Sequence, residues 1–76
     1  MINKFKKDLK LKGFISPKVK YYRHDTHSIS YDVYLNESDK KPCWDGGYFV
    51  SEENSANSKK SMIKDWDNFV NNLTPF

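Results

Sequence analysis

The stretch ISYDVYL, residues 29–35, constrains the fold more than any other part of the chain. Successive side chains of an extended strand point to opposite sides. The stretch therefore predicts a strand with one apolar side, formed by Ile29, Tyr31, Val33 and Leu35, and one polar side. Strict alternation of this kind is typical of a sheet that has a single covered face, so other elements must supply the cover.

Two amphipathic segments at the ends of the chain supply that cover. Phe5 and Leu9 repeat at helical spacing and predict a helix over 3–12, with Asn3 as its N-cap and Gly13 as its stop. A longer helix is predicted over 55–73. Its apolar stripe consists of Met62, Ile63, Trp66, Phe69, Val70 and Leu73.

Two further strands complete the predicted sheet. The run 18–23 alternates Val19 and Tyr21 with lysines, and the run 42–51 is extended but contains Gly46-Gly47. The two glycines predict a bulge or a close approach of two backbones. Short polar turns between the strands favour an antiparallel meander.

The predicted order is helix, three strands, helix, which defines a two-layer α+β fold with the sheet covered by helices. The chain of 76 residues is expected to form a single domain over 1–76. Aromatic residues make up 16% of the chain, and this share allows so short a sequence to fill a core.

Charge is divided unevenly along the chain. Residues 1–23 hold eight Lys or Arg and one Asp, which gives +7, whereas residues 24–76 hold five Lys and nine Asp or Glu, which gives −4; the sum is the net +3. Lys59 and Lys60 also lie near the start of the last predicted helix, where the helix dipole disfavours cations. They face either solvent or something negatively charged.

Side chains that carry chemistry are few. His24 and His27 share one turn, and either Cys43 or Asp45 would be needed to build a zinc site or a nucleophile pair with them. A single cysteine and the absence of a glycine-rich phosphate loop give little support to either site. We predict no metal, no cofactor and no enzymatic activity. The lone cysteine and the lack of a secretory or membrane-spanning segment favour a cytoplasmic location.

The order of elements resembles the double-stranded RNA-binding domain. In that family a loop histidine reaches the minor groove, and lysines at the start of the last helix contact phosphates. The segment SKKSMIK, with Lys59, Lys60 and Lys64, is similar to the lysine cluster, and His27 lies in the corresponding loop. The resemblance implies a nucleic-acid surface. Basic side chains of the first sheet strand would extend it: Lys18, Lys20 and Arg23.

Two further segments are informative: DTHSIS leads into a strand, and YFVSEEN precedes a polar loop and a long helix. In these segments the chain resembles small phage anti-CRISPR proteins, which block a type II CRISPR effector nuclease. In that family, loop acids take the place of DNA phosphates against the arginines that read a duplex. The resemblance implies this role for Glu37 and Asp39, and more loosely for Asp45, Glu52 and Glu53.

The prediction that combines these observations is a non-enzymatic binding protein that inhibits a host defence nuclease. A small nucleic-acid-binding domain is the alternative. Tyr22 and Tyr34 lie on the polar side of the sheet and are typical of a protein interface, although they could instead form a cross-strand pair that steadies the sheet. The expected partner is a host protein of a nucleic-acid-processing defence complex; nucleic acid itself is the second option, and a membrane is not expected.

Overall fold

The fold follows the predicted order of elements. The computed structural model describes residues 1–50 and 55–74. The α+β class is confirmed: one helix, three antiparallel strands in a single sheet, and a second helix. The elements are α1 (Ile2–Leu11), β1 (Lys18–His24), β2 (Ser28–Tyr34), β3 (Trp44–Phe49) and α2 (Ser55–Asn71).

The sheet is an unbroken meander with β2 in the centre. In β1 and β2 the pairing runs from Lys18 opposite Tyr34 to His24 opposite Ser28 without a skipped residue. The pairing of β2 with β3 is equally regular through Gly46 and Gly47. The ladder is therefore free of a bulge at the glycines, and the alternative expectation, close backbone approach, applies there.

A side chain is sterically excluded at both glycines, by a different neighbour in each case. A Cβ on Gly46 would lie 2.4 Å from the Trp44 ring, because the indole folds back over this position. A Cβ on Gly47 would lie 2.5 Å from the carbonyl oxygen of Ile29 on the neighbouring strand. Backbone cannot yield as a flexible side chain can, so Gly47 is the more demanding of the two positions.

The core lies between the sheet and the two helices. Ile29, Tyr31 and Val33 of β2 are buried, as their alternation predicts. The helices contribute four further side chains to this buried cluster: Phe5, Leu9, Met62 and Trp66. Phe14, which follows α1, is also part of it. Phe69 and Leu73 pack against this cluster but are only partly buried.

Aromatic rings form the centre of the core. The Phe5 ring lies 5.2 Å from Tyr31 and 4.7 Å from Trp66, measured between centroids and with edge-to-face geometry. Trp66 in turn lies 5.1 Å from Trp44. Each such pair adds about 0.5–1.5 kcal/mol to the area that it buries. Phe5 thus joins both helices to the sheet.

A polar contact completes the packing of the two helices. The indole nitrogen of Trp66 donates to Asp8 Oδ2 at 2.8 Å. The same carboxylate oxygen accepts from Lys4 Nζ at 3.2 Å, and Lys4 also reaches Asp67 Oδ1 at 3.3 Å. Burial lowers the pKa of Lys4, but the hydrogen bonds and charges of the two aspartates outweigh it and the net shift is upward.

Of the two predicted ends of α1, the C-terminal stop is confirmed and the N-cap is not. Met1 is the N-cap and no side chain caps the helix, so the prediction of Asn3 as the cap was wrong; Asn3 lies within the first turn. At the other end, Gly13 adopts φ 102°, as predicted for a helix stop. The Phe14 N–H then donates to the Leu9 carbonyl at 3.1 Å, which turns the chain back onto the core.

Candidate protein-binding face

One side of the sheet is not covered by a helix in the part of the chain that the structure describes. Because paired residues of neighbouring strands point to the same side, the register identifies its members. We call this side the open face. It consists of Lys18, Lys20, Tyr22 and His24 of β1, Ser28, Ser30, Asp32 and Tyr34 of β2, and Asp45, Gly47 and Phe49 of β3.

One half of the open face is organised around Tyr34. The ammonium nitrogen of Lys18 lies 4.3 Å from the centroid of the Tyr34 ring, and that of Lys20 lies 5.6 Å from it. Both contacts are of cation–π type. Tyr34 itself is only 4% exposed. A partner that approaches this region therefore meets the two lysines before it meets the tyrosine ring.

The other half carries exposed aromatic side chains. Tyr22 on β1 and Phe49 on β3 are 40% and 49% exposed. Small residues of the central and outer strands lie between them, namely Ser28, Ser30 and Gly47. The alternative in which Tyr22 and Tyr34 form a cross-strand pair does not hold, because Tyr22 lies opposite Ser30 and Tyr34 lies opposite Lys18. Tyr22 is therefore available as a contact residue.

Two carboxylates face each other on the open face. Asp32 on β2 lies directly opposite Asp45 on β3, and Lys20 lies opposite Asp32 on its other side. Like charges at directly opposed positions destabilise a sheet. The ion pairs within 4 Å among the described residues are those of Lys4, so neither aspartate has such a partner. A cation supplied from outside would relieve this repulsion.

The β2–β3 loop holds the two acids on which the anti-CRISPR resemblance depends. Glu37 is exposed. Asp39 has a structural role, because its Oδ2 accepts from the Asn36 N–H at 3.2 Å and its own N–H donates to the Asn36 carbonyl at 3.0 Å. The loop also contains Lys40 and Lys41, which balance the two acids. Glu52 and Glu53 lie outside the described residues.

The β1–β2 turn and the start of α2 lie at the same end of the sheet. The Val50 N–H donates to the His27 carbonyl at 2.8 Å, and the Phe49 N–H donates to Ser58 Oγ at 3.1 Å. Lys59 Nζ lies 5.5 Å from the Tyr48 ring centroid, and Lys60 and Lys64 are exposed.

The turn itself is held by local hydrogen bonds. Asp25 adopts φ 48° and its Oδ1 accepts from the His27 N–H at 2.8 Å. Arg23 Nε donates to the Asp25 carbonyl at 3.3 Å, and His24 Nε2 lies 2.8 Å from Ser30 Oγ. These contacts fix the histidine-containing turn with respect to β2.

The sheet separates the basic residues that the nucleic-acid hypothesis grouped together. Tyr48 lies opposite Ile29 and so points to the helix side, where Lys59 contacts it. Lys18 and Lys20 contact Tyr34 on the open face. The two lysine groups therefore lie on opposite sides of the sheet.

Cys43 is remote from both histidines. It precedes β3 at the end opposite the β1–β2 turn, and six residues of extended chain at about 3.3 Å each place it roughly 20 Å from that turn. Its Sγ donates to the Val33 carbonyl at 3.2 Å, and burial raises the pKa of its thiol. Cys43 is therefore too far from His24 and His27 to form a zinc site or a nucleophile pair with them. No group of three His, Cys, Asp or Glu suited to a metal occurs among residues 1–50 and 55–74.

The comparisons with known proteins yield no relative. No protein-family model matches the chain, and neither a curated protein nor a solved structure matches it. Within the described residues, no helix is long and apolar enough to cross a membrane.

Proposed function

We propose that this chain is a non-enzymatic inhibitor that binds a host defence nuclease through its open face. The observation that carries the proposal is the arrangement of layers: both helices pack on one side of the sheet, and the other side presents Tyr22 and Phe49. Aromatic side chains are enriched at protein interfaces and supply much of their binding energy. We infer the class of target, a defence nuclease, from the resemblance to anti-CRISPR proteins.

Two opposed carboxylates on the open face suit an arginine of the partner. Asp32 and Asp45 face each other without an ion-pair partner within 4 Å, and exposed Glu37 follows β2. A guanidinium placed between the two carboxylates would form charge-assisted hydrogen bonds and remove their repulsion. Arginines that read DNA in an effector nuclease have this chemistry. Asp39 belongs to the loop framework in this proposal and is not a contact residue.

The test is cleavage of target DNA by a purified, guide-loaded type II effector in the presence of this protein. Stoichiometric protein is expected to suppress cleavage. Asp45→Lys is expected to abolish suppression, whereas Asp65→Lys, the same charge reversal at an exposed site on α2, is expected to retain it. Equal behaviour of the two variants would refute the use of the open face.

A second pair of variants tests the aromatic contact. Tyr22→Ala removes a ring from the open face, whereas Tyr21→Ala removes an exposed ring of the same strand from the opposite side. Loss of a buried interface tyrosine costs about 2 kcal/mol or more, which is a loss of affinity of about thirtyfold. Capture of the partner from a nuclease-treated lysate should therefore fail for Tyr22→Ala only.

A small nucleic-acid-binding domain is the second candidate function. The observation that favours it is the placement of the His27 turn beside the start of α2, the arrangement that the double-stranded RNA-binding domain uses. Binding of duplex RNA would weaken with added salt, and a Lys59, Lys60 and Lys64 triple substitution to Gln would flatten that dependence. We expect no measurable duplex binding at physiological salt, and submicromolar affinity would reverse this ranking.

A further inference from the structure

The outer edge of β1 has unpaired backbone groups, and the hydrogen-bond pattern identifies them. The Val50 N–H donates to the His27 carbonyl one step beyond the pair of Ser28 with Phe49. In an antiparallel ladder, hydrogen-bonded and non-bonded pairs alternate. Odd-numbered residues of β2 therefore bond to β3, and even-numbered residues bond to β1.

The same alternation applies on β1. Its even-numbered residues pair with the even-numbered residues of β2, since Lys20 is opposite Asp32 and Tyr22 is opposite Ser30. Val19, Tyr21 and Arg23 consequently direct their N–H and C=O groups away from the sheet. No backbone hydrogen bond outside the sheet ladder involves these three residues among the described parts of the chain.

The opposite edge of the sheet is less accessible. On β3 the outward groups belong to Asp45, Gly47 and Phe49 by the same alternation. The Phe49 N–H already donates to Ser58 of α2. β1 therefore presents the longer free edge, and its residues from Lys20 to His24 are exposed.

Charge defines what the edge of β1 accepts. Residues 12–24 hold Lys12, Lys18, Lys20 and Arg23 and no acid. The ion pairs within 4 Å in the described chain involve none of the β1 cations. Lysines on an edge strand oppose pairing between like strands. Two copies joined at β1 would bring together three Lys or Arg from each copy, whereas an acidic strand would neutralise them.

We propose that the edge of β1 binds an extended acidic segment of a partner protein by strand addition. The outward groups of Val19, Tyr21 and Arg23 supply the backbone hydrogen bonds. Carboxylates on alternate residues of the segment meet Lys18 and Lys20, and apolar residues between them face Tyr21, which is 46% exposed on the helix side of the sheet. This inference does not depend on the proposed function, because the contact is the strand edge.

The probe is an acetylated, amidated peptide with the sequence EVEVEVE, compared with QVQVQVQ and KVKVKVK. With ¹⁵N-labelled protein, the acidic peptide is expected to slow amide hydrogen exchange at Val19, Tyr21 and Arg23. Lys20 and Tyr22 already bond to β2 and should change little. The proposal would be overturned if QVQVQVQ slowed exchange as much as EVEVEVE, or if none of the three peptides slowed it. Slowing that grows with protein concentration alone would assign the edge to a second copy and would also overturn it.

Substitutions separate the backbone contact from the charge contact. Tyr21→Pro and Tyr21→Ala both remove the ring that faces the segment, but only proline also removes the outward N–H. Proline should therefore weaken EVEVEVE binding by about fivefold to tenfold more than alanine does. If Tyr21→Pro fails to fold, Lys18→Gln with Lys20→Gln provides the second test. This double variant should lose the preference for the acidic peptide, whereas Lys59→Gln with Lys60→Gln should keep it. Retention of the preference in the β1 double variant would refute the charge argument.

Discussion

Replacement of Asp8 by Ala tests the joint between the two helices. Trp66 is fully buried, and its indole N–H donates to Asp8 Oδ2 at 2.8 Å. Removal of the acceptor leaves a buried donor without a partner, which costs about 1–3 kcal/mol. Loss of the pair of Asp8 with Lys4 adds about 0.3–0.5 kcal/mol, the value for exposed pairs one helical turn apart.

The matched control is Asp67→Ala. Asp67 also pairs with Lys4 and also lies within a helix, so both substitutions lose one ion pair and gain the same helix propensity. Among the described residues, Asp8 and not Asp67 accepts the indole hydrogen bond, and the Asp67 side chain is 50% exposed against 23% for Asp8. The difference between the two variants therefore isolates the hydrogen bond of Trp66.

Urea unfolding followed by far-UV circular dichroism provides the measurement. Stabilities of this size of domain are on the order of 4–11 kcal/mol, so a difference of about 1–3 kcal/mol is resolved easily. A cycle with Trp66→Phe adds a check, because the cost of Asp8→Ala should shrink once the indole N–H is absent. Equal midpoints for Asp8→Ala and Asp67→Ala would refute the reasoning.

Three further outcomes are expected. Gly47→Ala should lower the free energy of unfolding by about 1–3 kcal/mol in a urea titration, because its Cβ would meet a β2 carbonyl oxygen at 2.5 Å; an unchanged midpoint would contradict this. Burial raises the pKa of Tyr31 to about 12, so the folded state holds its proton more tightly than the unfolded state. The resulting stabilisation is complete below about pH 10 and is lost as pH rises toward 12. Tyr31→Phe should lose less stability than the unsubstituted protein over this range, and an identical loss would contradict this source. Asp39→Ala should cost about 1 kcal/mol by thermal melt, because it loses the bond from the Asn36 N–H, whereas Glu37→Ala should be neutral within about 0.5 kcal/mol; equal costs would count against the loop geometry.

Local pattern was sufficient to predict the elements and the buried side of the sheet. The alternation at Ile29, Tyr31 and Val33 and the helical spacing of Phe5 and Leu9 are properties of neighbouring residues, and the structure confirms both. The two faces of β1 follow from the same rule.

Contacts between distant residues could not be predicted in this way. The hydrogen bond from Trp66 to Asp8 joins residues 58 positions apart, and the local sequence around either residue does not predict it. The lysine contacts of the Tyr34 ring depend on the register of the neighbouring strand, and the role of Asp39 depends on the shape of its loop. For Tyr34 and Asp39, residue type predicted a contact role and did not distinguish it from a structural one.

The pairing of Trp44 with Trp66 has an optical consequence. These are the two tryptophans of the sequence. Their rings lie 5.1 Å apart, measured between centroids, where α2 packs against the sheet. Indoles so close couple electronically, so the near-ultraviolet circular dichroism should contain a paired signal that vanishes when either ring is replaced. Intrinsic emission will consequently report the docking of helices on the sheet. A partner bound on the far side of the sheet will leave it almost unchanged, and titrations there need a dye attached to the open face.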